Sequence, residues 1–133
     1  MRVRSAAVVV RNKSLLVIDR FKDGSSYCVL PGGGVEEGES LREACERELL
    51  EETGLDGSAG DLLDVPMDSD VPAVYFRVDV NSETLALGGP ELARTSSSNR
   101  YEPKWVDVGS LAAIPLVPDA ARHAVQLVVD AHR

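Results

Sequence analysis

The 133-residue sequence has little cysteine and only short hydrophobic runs. Cys28 and Cys45 show neither the spacing of a metal-binding pair nor a disulfide framework. We therefore expect two small core residues in a reduced, cytoplasmic protein. The longest aliphatic runs, such as 6–10 and 15–18, are far shorter than the ~20 apolar residues of a membrane-spanning helix. Arg11 ends the first run too early for a signal peptide, which favours a strand.

Positive charge is also scarce, because 14 Lys and Arg face 22 Asp and Glu, for a net charge of −8. A chain this acidic is a poor ligand for nucleic acid polymers and anionic membranes, so we expect neither as a partner. The negative charge is concentrated between residues 33 and 55, where eight Glu and two Arg contribute −6. Such a local excess of carboxylates requires a local explanation.

The length suits one compact domain and is too short for two, so we expect a single domain over residues 1–133. Two apolar runs around "RNKS" predict a β-hairpin with its turn near Asn12 and Lys13. Further strands are predicted at 27–30, 71–80 and 101–108, with a weak one at 62–67. The segments predicted as loops are 21–26, 32–39, 54–60 and most of 81–100.

Two helices are predicted. Ser40 has the features of an N-cap, and Glu43 follows at the capping-box spacing, so one helix should run from Leu41 to about Thr53 and end at Gly54. A final helix is expected over 119–131. Its apolar stripe consists of Ala121, Ala124, Val125 and Val128. Strands with at least two helices against them predict an α/β sandwich.

The first predicted helix places the carboxylates of Glu48, Glu51 and Glu52 on one face. Its first two turns on that face are apolar: Leu41, Ala44 and Cys45. The opposite side carries charges expected in solvent: Arg42, Glu43 and Glu46. Leu50 also points outward. The clustered carboxylates repel one another, near the negative end of the helix dipole. A solvated face of good helix formers is one explanation, and ligands for Mg²⁺ or Mn²⁺ are the other.

The segment "GGVEEGESLREACERELLEETGL", residues 33–55, resembles the signature of the Nudix hydrolases. Every specified position of that signature is matched: Gly33, Glu39, Arg47, Glu48, Leu49, Glu51, Glu52, Gly54 and Leu55. The resemblance implies an α/β/α sandwich with a mixed β-sheet between helices. It also implies a hydrolase that cleaves within the diphosphate of a nucleoside diphosphate linked to another moiety, X, and that requires Mg²⁺ or Mn²⁺.

The resemblance also assigns roles to residues. Glu48, Glu51 and Glu52 become the catalytic residues and metal ligands, and Gly32 offers its backbone carbonyl to the metal. A further ligand often lies outside the signature, and Glu102 is favoured over Glu91 for this role. The general base is one of these carboxylates or a glutamate of a later loop.

Other residues are expected to bind the substrate or to support the structure of the site. Gly33 and Gly34 let the backbone approach phosphate. Arg20 is a candidate phosphate ligand, with a solvent-facing arginine as the alternative. Arg47 should pair with Glu39 and hold the loop against the helix. Its side chain is expected to point about 100° away from that of Glu48.

Aromatic side chains could stack on a base, and we expect one or two of them to line a pocket. The candidates are Phe21, Tyr75, Phe76, Tyr101 and Trp105. His123 and His132 have no metal-site spacing and are expected at the surface.

The expected partner is a small nucleotide-type substrate, and a homodimer is compatible with the sequence. Two other functions share the implied fold. A non-catalytic nucleotide sensor would usually lack some glutamates of the signature, which is complete here. A prenyl diphosphate isomerase would need a catalytic cysteine, whereas both cysteines are expected in the core.

Overall fold

The computed structural model describes residues 3–67, 69–86 and 99–131. These ranges contain eight strands: β1 Arg4–Val8, β2 Val10–Arg11, β3 Ser14–Lys22, β4 Ser25–Val29, β5 Gly32–Gly34, β6 Gly57–Leu62, β7 Ala73–Val80 and β8 Asn99–Asp107. They also contain two α-helices and one 3-10 helix: α1 Leu41–Thr53, α2 Asp119–Ala131 and the 3-10 helix Val108–Ala113. No helix within the described ranges has the length and apolarity needed to cross a lipid bilayer.

The strands form two sheets. The first has the order β5-β1-β7-β6, in which β1 and β7 run parallel and the other pairs run antiparallel. In the second sheet β3 pairs with β2, β4 and β8, all antiparallel. Helix α1 packs on one face of the first sheet and α2 packs on the other. The expected α/β/α sandwich with a mixed sheet is therefore confirmed.

Strand β1 lies at the centre of this sandwich and is buried on both faces. Ala7 joins the cluster beneath α1, whereas Ala6 and Val8 join the cluster beneath α2. Alternate side chains of a strand point to opposite faces, which explains why this run is apolar at successive positions. The apolar stripe predicted on the last helix is buried in the cluster beneath α2, and consists of Ala121, Ala124, Val125 and Val128.

The predicted hairpin and helix ends are confirmed. Asn12 and Lys13 form the turn with φ of 52° and 64°, the left-handed values of a tight hairpin. The Ser40 side chain accepts from the Glu43 N–H at 3.0 Å, and Glu43 Oε1 accepts from the Ser40 N–H at 2.9 Å. Gly54 ends the helix with φ 76° and donates its N–H to a carbonyl of the last turn.

Two predicted loops are strands, and one predicted strand is absent. Gly32–Gly34, expected in a loop, forms β5 against β1. The segment expected to be a loop at 54–60 contains most of β6, and residues 63–67 form no strand. Segment "GSAGDL" has weak strand propensity, so the pairing with β7 decides its conformation.

The outward face of α1 also differs from the prediction. Arg42 and Glu46, expected in solvent, bind the backbone of β6. Glu46 Oε2 accepts from the Ala59 N–H at 2.8 Å, and Arg42 donates to the carbonyls of Ala59 and Gly60, the latter at 2.8 Å. Leu41, expected in the core, is 38% exposed. The helix thus meets the sheet through polar side chains at its flank as well as through apolar ones below.

We predict that Gly57→Ala destabilises the protein by about 1–3 kcal/mol through overpacking. A Cβ at this position would lie 2.6 Å from Leu49 Cδ2 and 2.7 Å from Val78 Cγ1, both fully buried. The matched control is Gly109→Ala, whose Cβ would meet Asp107 Oδ1 at 3.4 Å, an ordinary contact. Urea unfolding of both variants measures the difference, and equal midpoints would contradict the tight packing of β6 on α1.

Candidate active site

Glu48, Glu51 and Glu52 of α1 share one face of the helix, as expected, and differ in burial. Glu52 is buried at 6% exposure, and its Oε1 accepts from the Gly32 N–H at 2.8 Å. The Glu48 side chain is 13% exposed and the Glu51 side chain is 36% exposed. The exposure of these carboxylates therefore increases from Glu52 through Glu48 to Glu51.

Arg47 joins the loop before α1 to the helix. Its Nε donates to Glu39 Oε2 at 2.7 Å and its Nη2 donates to Glu39 Oε1 at 3.0 Å, which confirms the predicted pair. Nη2 also donates to the Gly34 carbonyl at 3.2 Å. Contrary to the angular prediction, Nη1 turns back to Glu48 at 2.9 Å and to Glu51 at 3.3 Å. The hydrogen bonds to Glu39 and Glu48 raise the pKa of Arg47, so the guanidinium stays charged.

The glycines of β5 make room for these contacts. A Cβ on Gly33 would lie 2.5 Å from Glu48 Oε1. A Cβ on Gly32 would lie 2.7 Å from both Ala6 Cα and the Ser5 carbonyl of β1. Side chains at these positions would displace the carboxylate or the neighbouring strand, so the pattern reflects close approach of backbone and functional group.

A polar pocket opens at the ends of β1, β3 and β5. Its wall includes Gly32, Gly33, Gly34, Glu48 and Glu52, together with Arg4, Arg20, Val29 and Tyr101. Arg4, Arg20 and Val29 also line an adjacent apolar cleft between the two sheets. That cleft is formed largely by Tyr27, Leu30, Val71, Tyr75, Val117 and Pro118. Arg4 and Arg20 thus lie at the junction of the polar pocket and the apolar cleft.

The structure brings two residues to this site that the sequence did not suggest. Arg4 donates through Nη2 to the Gly32 carbonyl at 3.3 Å, a contact that depends on the pairing of β1 with β5. Tyr27 lies opposite Arg20 in the β3–β4 hairpin. Pairing residues outward from the turn at Asp23 would have predicted Tyr27 opposite Arg20. No local feature of the sequence indicates that Arg4 reaches the site.

The predicted aromatic residues divide between the cleft and the core. Tyr75 and Tyr101 line the pockets. Phe76 and Trp105 pack in the cluster beneath α1. Phe21 follows Arg20 on β3 and so faces the opposite side of the sheet.

Of the two outer-ligand candidates, Glu102 is described and does not line the pocket. Glu102 is exposed and pairs with Asp19, one position from Tyr101, so it faces the other side of the second sheet. Glu91 lies outside the described residues, as does His132. His123 is exposed on α2, as expected.

Both cysteines are free and buried in the core, which confirms the prediction. Burial raises the pKa of Cys45 to about 12 and also raises the pKa of Cys28. A thiol that stays protonated is a weak nucleophile. These residues therefore offer no support for cysteine chemistry at this site.

The donor chemistry of the pocket fits a hard divalent cation. Glu48, Glu52 and the Gly32 carbonyl offer oxygen atoms of the kind that Mg²⁺ and Mn²⁺ prefer, whereas Glu51 pairs with Arg47 and is not among the residues that line the pocket. In the described part of the chain, no three His, Cys, Asp or Glu side chains converge on one metal-sized point. Arg47 pairs with Glu48 and Glu51, whereas the Gly32 N–H donates a hydrogen bond to Glu52, so the carboxylates are stabilised by different groups.

We predict that Arg47→Lys lowers the free energy of unfolding by about 1–3 kcal/mol, because one ammonium group cannot replace the planar fork that binds Glu39 and Glu48 together. The control is Arg77→Lys, whose ion pairs with Asp61 and Asp79 lie in solvent and should be worth less than about 1 kcal/mol. Urea titrations compare the two. Equal losses would mean that Arg47 is an ordinary surface arginine.

The chain resembles known proteins over most of its length. It is 31% identical over 125 residues to a Bacillus subtilis (strain 168) protein provisionally named an 8-oxo-dGTP diphosphatase, a match that covers 92% of this chain and 77% of that protein. It is 35% identical over 88 residues to the ADP-ribose pyrophosphatase of Methanocaldococcus jannaschii, covering 61% of this chain and 52% of that protein.

The fold comparison agrees with the sequence comparison. A NUDIX family hydrolase from Clostridium perfringens superposes with a TM-score of 0.75 over 99% of this chain and 98% of that chain, at 15% identity, which shows the fold alone. The sequence profile of the NUDIX domain matches residues 1–127. Together with the relatives, this match confirms the expected enzyme class, a Nudix-type diphosphatase. The chain belongs to the Nudix hydrolase family.

Proposed function

We propose that this protein is a metal-dependent hydrolase of a nucleoside diphosphate linked to another moiety, X, and that water attacks a phosphorus atom of the diphosphate. The proposal rests on the order of side chains along the opening formed by two adjacent pockets, which share Arg4, Arg20 and Val29. Carboxylates and glycine backbone lie at one end, Arg4 and Arg20 lie in the middle, and an apolar cleft follows.

This order suits the parts of a nucleotide. The arginines can neutralise phosphate oxygens, and the apolar cleft with Tyr27 and Tyr75 can hold an aromatic base. Gly33 and Gly34 would let the backbone approach the phosphates. The absence of a Cβ on Gly33 also leaves room for Glu48. A nucleoside diphosphate in this opening would direct its phosphates toward the carboxylates of α1.

Glu48, Glu51, Glu52 and the Gly32 carbonyl would hold Mg²⁺ or Mn²⁺. When bound, such an ion shields the phosphate oxygens and lowers the pKa of water. Glu102 is left out of this ligand set, because β8 directs it to the opposite face.

Side chains and backbone groups of the protein position the carboxylates, accept the proton and offset the phosphate charge. Arg47 keeps Glu48 and Glu51 in place, and the Gly32 N–H fixes Glu52 beneath them. One of these carboxylates accepts the proton of the attacking water. The water oxygen bonds to phosphorus while the bridging P–O bond breaks, and the leaving phosphate keeps the bridging oxygen. Arg4 and Arg20 offset the negative charge on both phosphates during this exchange.

The relatives support a diphosphate with variable X. One is named for 8-oxo-dGTP and another for ADP-ribose, and both compounds contain linked phosphates on a nucleoside. A substrate screen should therefore include nucleoside triphosphates, dinucleoside polyphosphates, nucleotide sugars, dinucleotides and ADP-ribose, each with Mg²⁺. A cytoplasmic location is part of the proposal and is consistent with two free cysteines.

We predict that Glu52→Gln lowers turnover at least about 100-fold, since even residues that only support a metal ligand contribute 10- to 100-fold. Stability in metal-free buffer should not fall, because the amide oxygen of glutamine can still accept from the Gly32 N–H. The matched control is Glu43→Gln on the same helix, where a capping box accepts either residue. Product formation and thermal melts measure both effects, and an unfolded Glu52→Gln protein would favour a structural role.

We also predict which bond breaks. Hydrolysis in ¹⁸O-labelled water should place the label on a phosphate oxygen of one product, because the oxygen of water bonds to phosphorus. Mass spectrometry of the products locates the label, and excess EDTA should abolish turnover. Label on a sugar hydroxyl, or turnover undiminished by EDTA, would reject the mechanism even with the fold unchanged.

A further inference from the structure

Three side chains form a row across the second sheet, at the junction of the acidic pocket and the apolar cleft. Arg20 of β3 is in register with Tyr27 of β4 on one side and with Tyr101 of β8 on the other. Directly opposed residues on one face of a sheet are close enough for their side chains to contact each other. The register therefore places a guanidinium between two phenol rings.

The two rings contact the guanidinium unequally. Arg20 Cζ lies 3.8 Å from the centroid of the Tyr101 ring and 5.7 Å from that of Tyr27. At 3.8 Å a planar guanidinium stacks on the ring in van der Waals contact, and the ring quadrupole attracts its charge. Tyr101 is thus the main support, and Tyr27 lies at the outer limit of such an interaction.

This support matters because Arg20 shares its pocket with Glu48 and Glu52. An arginine side chain has several rotatable bonds, and these carboxylates attract its charge. Stacking on Tyr101 favours the conformation in which the guanidinium stays against β8, at the boundary of the two pockets. A cation that is already positioned loses less conformational entropy when an anion binds.

We propose that Tyr101 is a positioning residue, whose ring holds the Arg20 guanidinium where it binds the phosphates of the substrate. The proposal rests on the function given above, in which Arg20 contacts the diphosphate. It assigns no contact between Tyr101 and the substrate, since the ring acts only through Arg20.

The test is a double-mutant cycle on Tyr101 and Arg20, with methylenediphosphonate as a non-hydrolysable probe and Mg²⁺ at a fixed saturating concentration. Tyr101→Leu should weaken binding of the probe about 3- to 30-fold, as expected from loss of one cation–π contact. Tyr101→Phe keeps the ring and should stay within about twofold of wild type. In the Arg20→Met background, Tyr101→Leu should have little further effect, because methionine carries no charge for the ring to hold.

The controls separate positioning from folding. Phe21→Leu changes an aromatic on the opposite face of β3 and should leave binding unchanged. Thermal melts of every variant establish that each is folded, and calorimetry gives the dissociation constants. Additive effects in the cycle would mean that Tyr101 contacts the ligand itself, and would overturn the proposal. Failure of wild type to bind the probe, or full binding by Tyr101→Leu, would also overturn it.

The results that would refute the proposed function differ from those that would refute the positioning role of Tyr101. With a substrate found in the screen, the structure predicts that Tyr101→Leu raises KM and leaves kcat within about twofold. A protein that binds methylenediphosphonate through Arg20 and Tyr101 but hydrolyses nothing would refute the hydrolase proposal and support the positioning role. A protein that hydrolyses diphosphates with an unaltered KM in Tyr101→Leu would do the reverse.

Discussion

Repulsion among carboxylates is the constraint on which the site depends. Among the described residues, four acidic side chains lie within ion-pair distance of Arg47: Glu36, Glu39, Glu48 and Glu51. The same guanidinium binds a backbone carbonyl of β5, so one side chain joins the loop, the strand and the helix. Glu52 is stabilised by a backbone N–H of β5 instead. The missing side chain of Gly33 leaves room for Glu48, and that of Gly32 leaves room for the close approach of β1.

The opening is lined by residues of both sheets. The carboxylates come from α1 beside the first sheet, and Arg20 comes from the second. Arg4 enters from β1, and the apolar end comes from β7 and the segment before α2. Each chemical zone thus combines residues of several elements, and the zones are aligned only when both sheets are formed.

Local rules predicted the features that are determined locally. The hairpin turn at Asn12, the capping box at Ser40 and the stripe of α2 follow from a few neighbouring residues, and each is found. The signature with fixed spacing likewise located the carboxylates and the Arg47–Glu39 pair. The sequence was less informative where pairing between distant segments decides the outcome. Strand β6 is composed of weak strand formers, Arg4 reaches the site through β5, and register alone directs Glu102 away.

The polar flank of α1 has a consequence for association between copies. Strand β6 forms one margin of the first sheet, and the backbone groups of such a margin are a template for strand addition. Here Glu46 occupies the Ala59 N–H, while Arg42 occupies the carbonyls of Ala59 and Gly60. A second copy cannot extend the sheet at this position without first breaking those bonds. The helix that carries the chemistry therefore also blocks strand addition at Ala59 and Gly60.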